Sequence, residues 1–167
     1  MIITVKKVID NIELPKYATK GSAGFDLKAM RVISLYTGTK KIDLTEKMNK
    51  TISEGKLTLR PNERALLGTG LSFEIPEGFQ MEIRDKSGIS LKTGLKVLNS
   101  PGTIDSDYRG EVGVIIYNST PYLSTIKLGE YIAQGVITPY FKVEFVESVK
   151  ASSTKRGFGG FGSTGLK

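Results

Sequence analysis

The chain has 167 residues, with 24 Lys and Arg against 17 Asp and Glu, a formal net charge of +7, and neither cysteine nor histidine. Its length fits one domain with a sizeable core, and its composition excludes disulfide scaffolds, Cys/His zinc sites and catalysis through imidazole or thiol groups. An acid or base in this protein must therefore be Asp, Glu, Lys or Tyr, and a metal ion must be a hard cation bound by oxygen.

The first predicted elements are short apolar runs separated by Gly, Pro and Asn, a pattern typical of an all-β sandwich or barrel. In chain order, the predicted strands cover residues 2–9, 25–35, 71–75, 79–83, 112–117, 132–139 and 141–149. Apolar and polar residues alternate in 79–83 and 141–149, so each of these strands should bury one face. A tight turn at residues 76–78 should connect two of the strands.

Residues 43–54 break the β pattern. Asp43 and Glu46 have the spacing of a capping box, and Gly55 is a plausible stop. Three apolar residues share one helical face: Leu44, Met48 and Ile52. We therefore predict one short amphipathic helix inserted between strands.

The last segment, residues 151–167, is rich in Gly, Ser and Thr and has few apolar residues, so we predict a flexible C-terminal arm. The β domain should then cover residues 1–150, with an insert at about 36–56. No segment approaches the ~18 apolar residues of a membrane span. We expect a soluble cytoplasmic protein with no membrane partner, located in the host cytoplasm if the source is a virus or phage.

The positive charge is concentrated in two segments. Residues 31–60 carry seven basic and three acidic residues, and residues 150–167 carry four basic and no acidic residues. Residues 61–149 carry eight basic and eleven acidic residues. Because most of the chain is close to neutral or acidic, we expect no nucleic-acid partner; an unknown partner at the basic insert 36–56 is a possibility.

Residues 99–110 hold the most informative group of polar side chains. A Pro-Gly turn leads into a predicted hairpin that carries an amide, two carboxylates and a phenol: Asn99, Asp105, Asp107 and Tyr108. In a chain without histidine a carboxylate is the natural general base, and Asp105 is the candidate. The alternative is a structural hairpin in which the Asp side chains only stabilise a turn.

Two further segments have chemistry suited to phosphate. Lys86, Ser87 and Gly88 follow a predicted strand directly and could bind phosphate, or they could form an ordinary surface turn. The arm places Arg and Phe among glycines, which suits an RNA-binding tail, a lid over one nucleotide, or a disordered tail.

Together and in order, five segments resemble the motifs of the homotrimeric deoxyuridine triphosphatases (dUTPases). They read SAGFDLKA at 22–29, DKSG at 85–88, GTIDSDYRG at 102–110, GEYIAQ at 129–134 and RGFGGFGSTG at 156–165. The resemblance implies a jelly-roll β fold and a threefold trimer whose active sites lie between subunits, each completed by the arm of another subunit. It also implies Mg²⁺-dependent hydrolysis of dUTP to dUMP and pyrophosphate, which limits uracil incorporation into DNA and supplies dUMP for dTMP synthesis.

The resemblance also implies roles for individual residues. Asp105 would be the base that orients water towards the α-phosphorus, and Tyr108 would lie beneath the deoxyribose and exclude a 2′-OH. The residues implied in reading uracil are Asn99, Gly102, Thr103 and Ile104. Those implied at the phosphates are Lys86, Ser87, Gly88 and Gln134, with Asp26 and Gln134 in the outer shell of Mg²⁺ and no direct protein ligand. Those implied in the arm are Arg156, Phe161, Gly162, Ser163 and Thr164.

Three features depart from the family pattern. Lys86 stands where most members have Arg, which loses a bidentate contact unless Arg84 compensates. Tyr131 stands where Arg is often found and is assigned no role, and the insert is longer than usual. Two alternatives to a dUTPase are the related dCTP deaminase and a binding protein that acts through its basic segments.

Overall fold

A computed structural model describes residues 1–43, 52–53 and 55–160. Within these residues the chain forms fourteen strands and one helix. The strands before the helix are β1 (Thr4–Lys7), β2 (Phe25–Lys28), β3 (Arg31–Thr37), β4 (Lys40–Ile42), β5 (Ile52–Ser53), β6 (Lys56–Leu59), β7 (Glu63–Gly68), β8 (Leu71–Glu74) and β9 (Phe79–Asp85). After them come α1 (Ser87–Thr93), β10 (Leu95–Val97), β11 (Gly102–Ile104), β12 (Gly113–Asn118), β13 (Ser124–Lys127) and β14 (Tyr131–Pro139). In this part of the chain, no helix has the length and apolar character needed to cross a membrane.

The strands form antiparallel sheets around one apolar core. The five-stranded sheet has the order β10-β12-β7-β3-β4 and the four-stranded sheet the order β11-β9-β14-β2. A three-stranded sheet, β13-β6-β5, and the pair β1-β8 complete the set. Core residues from both larger sheets include Leu27, Leu67, Met81 and Ile116. The predicted all-β architecture is confirmed.

The single strand predicted over residues 25–35 is wrong, because the chain changes sheet in the middle of this segment. β2 pairs with β14 in the four-stranded sheet, and β3 pairs with β7 in the five-stranded sheet. The Ala29 N–H donates to the Glu130 carbonyl oxygen at 2.9 Å, and the next N–H, of Met30, donates to the Gly68 carbonyl oxygen at 2.8 Å. Two successive residues therefore bond to different partners, and the strand ends between them.

The helix predicted over residues 43–54 lies mostly outside the described residues. Its last part is wrong, since Ile52 and Ser53 form β5 and pair with Leu57 and Lys56 of β6. The two strands form a hairpin across a turn at Gly55, whose φ is +72°, and their pairing provides backbone hydrogen bonds. The insert therefore adds β5 to the small three-stranded sheet, where it pairs with β6, which begins at the end of the insert.

The strand predicted over residues 141–149 is also wrong within a single chain. The segment has no strand pairing, and Phe141 and Phe145 are 91% and 93% exposed. A strand needs a neighbouring strand for its backbone and a surface for its apolar face, and the described part of this chain provides neither here. The turn at residues 76–78 is confirmed, with the Phe79 N–H donating to the Pro76 carbonyl oxygen and Gly78 at a φ of +83°.

Candidate active site

A carboxylate, an ammonium group and an amide meet on the outer face of the four-stranded sheet. Asp26 on β2 and Gln134 on β14 are direct register partners, and the residues flanking Asp26 are buried, so both side chains point away from the core. The Lys86 Nζ lies 2.9 and 2.8 Å from the two Asp26 carboxylate oxygens. The Gln134 Nε2 donates to Asp26 Oδ1 at 3.1 Å. Pairing of β2, β9 and β14 thus brings together three residues that are far apart in sequence.

This cluster is partly shielded from solvent. The Lys86 and Asp26 side chains are 29% and 19% exposed, so the ion pair is screened less than a surface pair and still has an open side. Arg84 does not join it, because its Nε and Nη2 donate to Glu82 at 2.9 and 2.6 Å. Lys86 therefore provides the cationic group of this cluster.

Residues 87 and 88 lie at the start of α1, so the ordinary surface turn that was the alternative to a phosphate site is not formed. The helix ends at Gly94, which has a φ of +66° and donates its N–H to the Ser90 carbonyl oxygen. Lys92 in the last turn and this glycine are the sequence signals that could have revealed the helix. Asp85, which sequence reasoning missed, accepts the Val97 N–H at 2.5 Å and ties the start of this segment to β10.

The residues of the predicted hairpin form a second group, which lines a cavity. The cavity has a volume of about 390 Å³. Its lining from the 99–108 segment comprises Asn99, Thr103, Ile104, Asp105 and Tyr108. Its other side is the outer face of the five-stranded sheet, including Ile33, Leu66 and Ile115. A space with an apolar floor and an amide, a carboxylate and a phenol at its rim suits a nucleoside.

Tyr108 is held in one position beside this cavity. Its hydroxyl donates to the Glu111 carbonyl oxygen at 2.9 Å. A Cβ atom on Gly110 would lie 2.4 Å from the Tyr108 Oη and 2.5 Å from its Cζ. Only glycine leaves room for the ring there, and Gly102 leaves similar room for Asn99, whose Nδ2 would be 2.9 Å from an added Cβ.

Glu111 supports this arrangement, and sequence reasoning missed it. Its nearly buried carboxylate accepts hydrogen bonds from the Arg31 guanidinium and, at 2.7 Å, from the Gly70 N–H. The hydrogen bond and the charge of Glu111 raise the pKa of Arg31 above its ordinary value. Because the backbone of Glu111 in turn holds Tyr108, the pair links β3 to the wall of the cavity.

Asp105 is exposed and lines two adjacent cavities. The first is the cavity beside Tyr108 and Asn99, and the second, of about 510 Å³, is also lined by Asp107 and Arg109. In the described part of the chain, no hydrogen bond or ion pair engages the Asp105 carboxylate. Its oxygens are therefore available to a ligand or a water molecule.

The described part of the arm, residues 151–160, contributes no side chain to either group. Arg156 is exposed and donates from its Nε to the Gly159 carbonyl oxygen at 2.8 Å, within the arm itself. Phe161, Gly162, Ser163 and Thr164 lie outside the described residues. The nucleotide contacts implied for the arm stay predictions.

The two groups lie on the outer faces of different sheets. Leu66 and Ile115 flank buried residues of β7 and β12, so the cavity lies outside the five-stranded sheet. The cluster of Asp26, Lys86 and Gln134 lies outside the four-stranded sheet, and none of the three lines the cavity. A single chain therefore does not bring these two groups into one pocket.

The described residues contain no group of three or more His, Cys, Asp or Glu side chains placed to bind a metal ion.

Comparison with known proteins identifies the family. The dUTPase family model matches residues 51–165. A deoxyuridine 5′-triphosphate nucleotidohydrolase of Hydrogenobaculum sp. is 44% identical over 167 residues, covering 100% of both chains. A Rhizobium leguminosarum protein of the same description is 45% identical over 157 residues, which is 94% of this chain and 88% of that one.

Solved structures show the same fold. The Staphylococcus bacteriophage 80alpha dUTPase with dUpNHpp superposes with a TM-score of 0.76 at 26% identity, covering 99% of each chain. This likeness confirms the jelly-roll fold expected from the motif resemblance. The chain belongs to the dUTPase family.

Proposed function

We propose that the protein hydrolyses dUTP to dUMP and pyrophosphate. The observation that carries the proposal is the cavity in which Asn99, Asp105 and Tyr108 converge over an apolar floor. Family membership and the dUTP nucleotidohydrolase relatives support the same reaction. In a cell, the reaction would limit uracil incorporation into DNA and supply dUMP for dTMP synthesis.

Asp105 acts as the general base in this proposal. Its free carboxylate accepts a proton from a water molecule while the water oxygen forms a bond to the α-phosphorus. The bond from the α-phosphorus to the oxygen bridging to the β-phosphate breaks, and pyrophosphate leaves with that electron pair. Support comes from the exposure of Asp105 at the rim of the cavity and from the absence of any imidazole in the chain.

The walls of the cavity select the nucleoside. The anchored ring of Tyr108 occupies the space that a ribose 2′-OH would need, so UTP is excluded sterically. Asn99 and the backbone of Gly102, Thr103 and Ile104 read the uracil edge, and the tightness of the hairpin excludes the thymine methyl group. A steric clash can exclude UTP and dTTP more strongly than the gain or loss of one favourable contact would.

The cluster on the four-stranded sheet receives the phosphates. Lys86 supplies an ammonium group and Gln134 an amide, and Ser87 and Gly88 lie beside them at the start of α1. Asp26 orients Lys86 through both carboxylate oxygens. This assignment is supported by the partial exposure of the pair, which leaves one side open to a ligand.

Mg²⁺ fits this site through water rather than through direct protein ligands. Both Asp26 oxygens contact Lys86, and Gln134 uses its amide nitrogen on Asp26, which keeps its amide oxygen as an acceptor for water. When bound to the triphosphate, Mg²⁺ would neutralise charge on the phosphate oxygens. Asp26 and Gln134 would hold the waters of the ion.

The complete site requires more than one subunit, and we infer a homotrimer. The cavity and the phosphate cluster lie on the outer faces of different sheets, so another copy must bring them together. The exposed apolar side chains of residues 141–149 supply a surface for such a copy. The arm, residues 151–167, then closes a site on a neighbouring β domain, residues 1–150, through Arg156, Phe161, Gly162, Ser163 and Thr164.

A substrate panel tests the proposed function. Pyrophosphate release is measured with Mg²⁺ and each of dUTP, dTTP, dCTP and UTP. Hydrolysis confined to dUTP is the expected result. Ammonia release from dCTP would instead identify a deaminase, and no release from dUTP would refute the proposal.

A further inference from the structure

The side chain of Tyr131 lies between two lysine ammonium groups. Tyr131 begins β14 and is the register partner of Lys28 on β2. The Lys28 Nζ lies 5.1 Å from the centre of the Tyr131 ring, and the Lys86 Nζ lies 5.8 Å from it. Both distances fall within the range of cation–π attraction. The two residues that depart from the family pattern, Lys86 and Tyr131, are therefore neighbours in space.

Lys86 and Lys28 each contact a carboxylate, but the contact of Lys86 is the stronger one. Lys86 has the close, partly shielded contact with Asp26 described above. The Lys28 Nζ is 3.7 Å from a Glu13 oxygen, but the Glu13 side chain is 74% exposed, so this contact is weak. Lys28 thus has a loosely held ammonium group beside the phosphate cluster.

The arrangement differs from the other cation–π pairs in the described chain. Lys96 lies over Tyr117, and Arg64 lies over Tyr36, with one cation on each ring. Tyr131 has two, and its ring is half exposed on the side of the sheet that carries Asp26 and Gln134. Two like charges on one ring repel each other, and an anion with several negative oxygens between them removes that cost.

We propose that Lys28 is a second phosphate-binding lysine and that Tyr131 is the positioning residue that aligns Lys28 and Lys86 for one polyphosphate group. This rests on the proposed function, because the ligand is the part of dUTP that leaves as pyrophosphate. A diphosphate group offers oxygens on two adjacent phosphorus atoms, which suits two separate ammonium groups better than one. Tyr131 acts through its ring, so its hydroxyl is dispensable.

Three variants of the full-length protein test this proposal: Tyr131→Phe, Tyr131→Leu and Lys28→Met. The probe is inorganic pyrophosphate, whose binding is measured by calorimetry and by inhibition of dUTP hydrolysis. We expect Tyr131→Leu and Lys28→Met to weaken pyrophosphate binding about fivefold or more. The same variants should raise KM for dUTP more than they lower kcat, and deoxyuridine binding should stay unchanged. Tyr131→Phe should behave like the wild type.

Lys96→Met is the matched control, because it removes a lysine from a tyrosine ring on the other large sheet. Unchanged pyrophosphate binding in both Tyr131→Leu and Lys28→Met would overturn the proposal, as would an equal loss in Lys96→Met. If wild-type protein binds pyrophosphate in a Tyr131-dependent manner but releases none from dUTP, the two-lysine site stands and the proposed hydrolysis fails. If dUTP is hydrolysed equally well by all variants, the proposed hydrolysis stands and the two-lysine site fails.

Discussion

Replacing Gly110 by alanine is expected to damage catalysis much more than folding. The new Cβ would lie 2.4 Å from the Tyr108 Oη, 2.5 Å from its Cζ and 2.9 Å from its Cε2. Favourable carbon contacts lie at about 3.5–4.0 Å, so the ring must move by about 1 Å. Tyr108 is 43% exposed and can swing outward into solvent.

The displaced ring should cost little stability and much catalytic efficiency. The displaced ring loses the hydrogen bond to the Glu111 carbonyl oxygen, which costs about 0.5–1.5 kcal/mol of unfolding free energy, because the carbonyl can bond to water instead. A displacement of about 1 Å in a group that positions substrate can reduce kcat/KM by about 100-fold. The preference for dUTP over UTP should fall as well, since the ring no longer fills the space of the 2′-OH.

The assay compares pyrophosphate release from dUTP and UTP, together with urea unfolding, in Gly110→Ala and in the control Gly21→Ala. Gly21 has no atom within 4 Å of an added Cβ, so its variant should match the wild type. Wild-type kcat/KM and wild-type discrimination in Gly110→Ala would refute the assignment of the Tyr108 ring as the sugar platform.

Three other predictions address the core, the arm and the metal ion. Leu67→Ala, at a fully buried position of β7, should lower the unfolding free energy by about 2–5 kcal/mol in urea titrations, and a loss below 1 kcal/mol would contradict the described core. Deleting residues 156–167 should abolish pyrophosphate release from dUTP while sedimentation still shows the trimer; an active truncated protein would refute the role of the arm. EDTA should stop hydrolysis and added Mg²⁺ restore it, and activity that persists in EDTA would contradict the requirement for Mg²⁺.

Local sequence patterns were sufficient for parts of the fold. Residues 79–83 alternate apolar and polar side chains, residues 132–139 are mostly apolar, and each run lies in a strand of the four-stranded sheet. The pattern failed where tertiary pairing decides the outcome. At Ala29 and Met30 nothing in the side chains signals the change of sheet, which depends on carbonyl partners at Glu130 and Gly68.

The error at residues 141–149 has a different cause. The alternation of Phe141, Val143 and Phe145 with charged residues indicates a strand with one buried face, yet in one chain these side chains are exposed. The alternation indicates a segment that forms a strand when a partner strand and an apolar surface are available. The described residues of one chain provide neither, as expected for a segment that pairs only in an assembly.

The candidate site was partly accessible from the sequence. The hairpin residues Asn99, Asp105 and Tyr108 were singled out from their chemistry and spacing, and they line one cavity. The supporting contacts of Glu111 with Arg31, and of Tyr131 with Lys28, were not predictable. They join residues about 80 and 100 positions apart through strand pairing, and no local pattern encodes such a contact.

The most direct test of the account is pyrophosphate release from dUTP by Asp105→Asn, measured beside binding of dUpNHpp. Asp107→Asn is the matched control, since it changes a neighbouring carboxylate that does not line the nucleoside cavity. If Asp105 is the base, Asp105→Asn keeps dUpNHpp binding and loses about 100-fold or more in kcat, while Asp107→Asn retains most of its turnover. Near-normal turnover by Asp105→Asn would contradict the account.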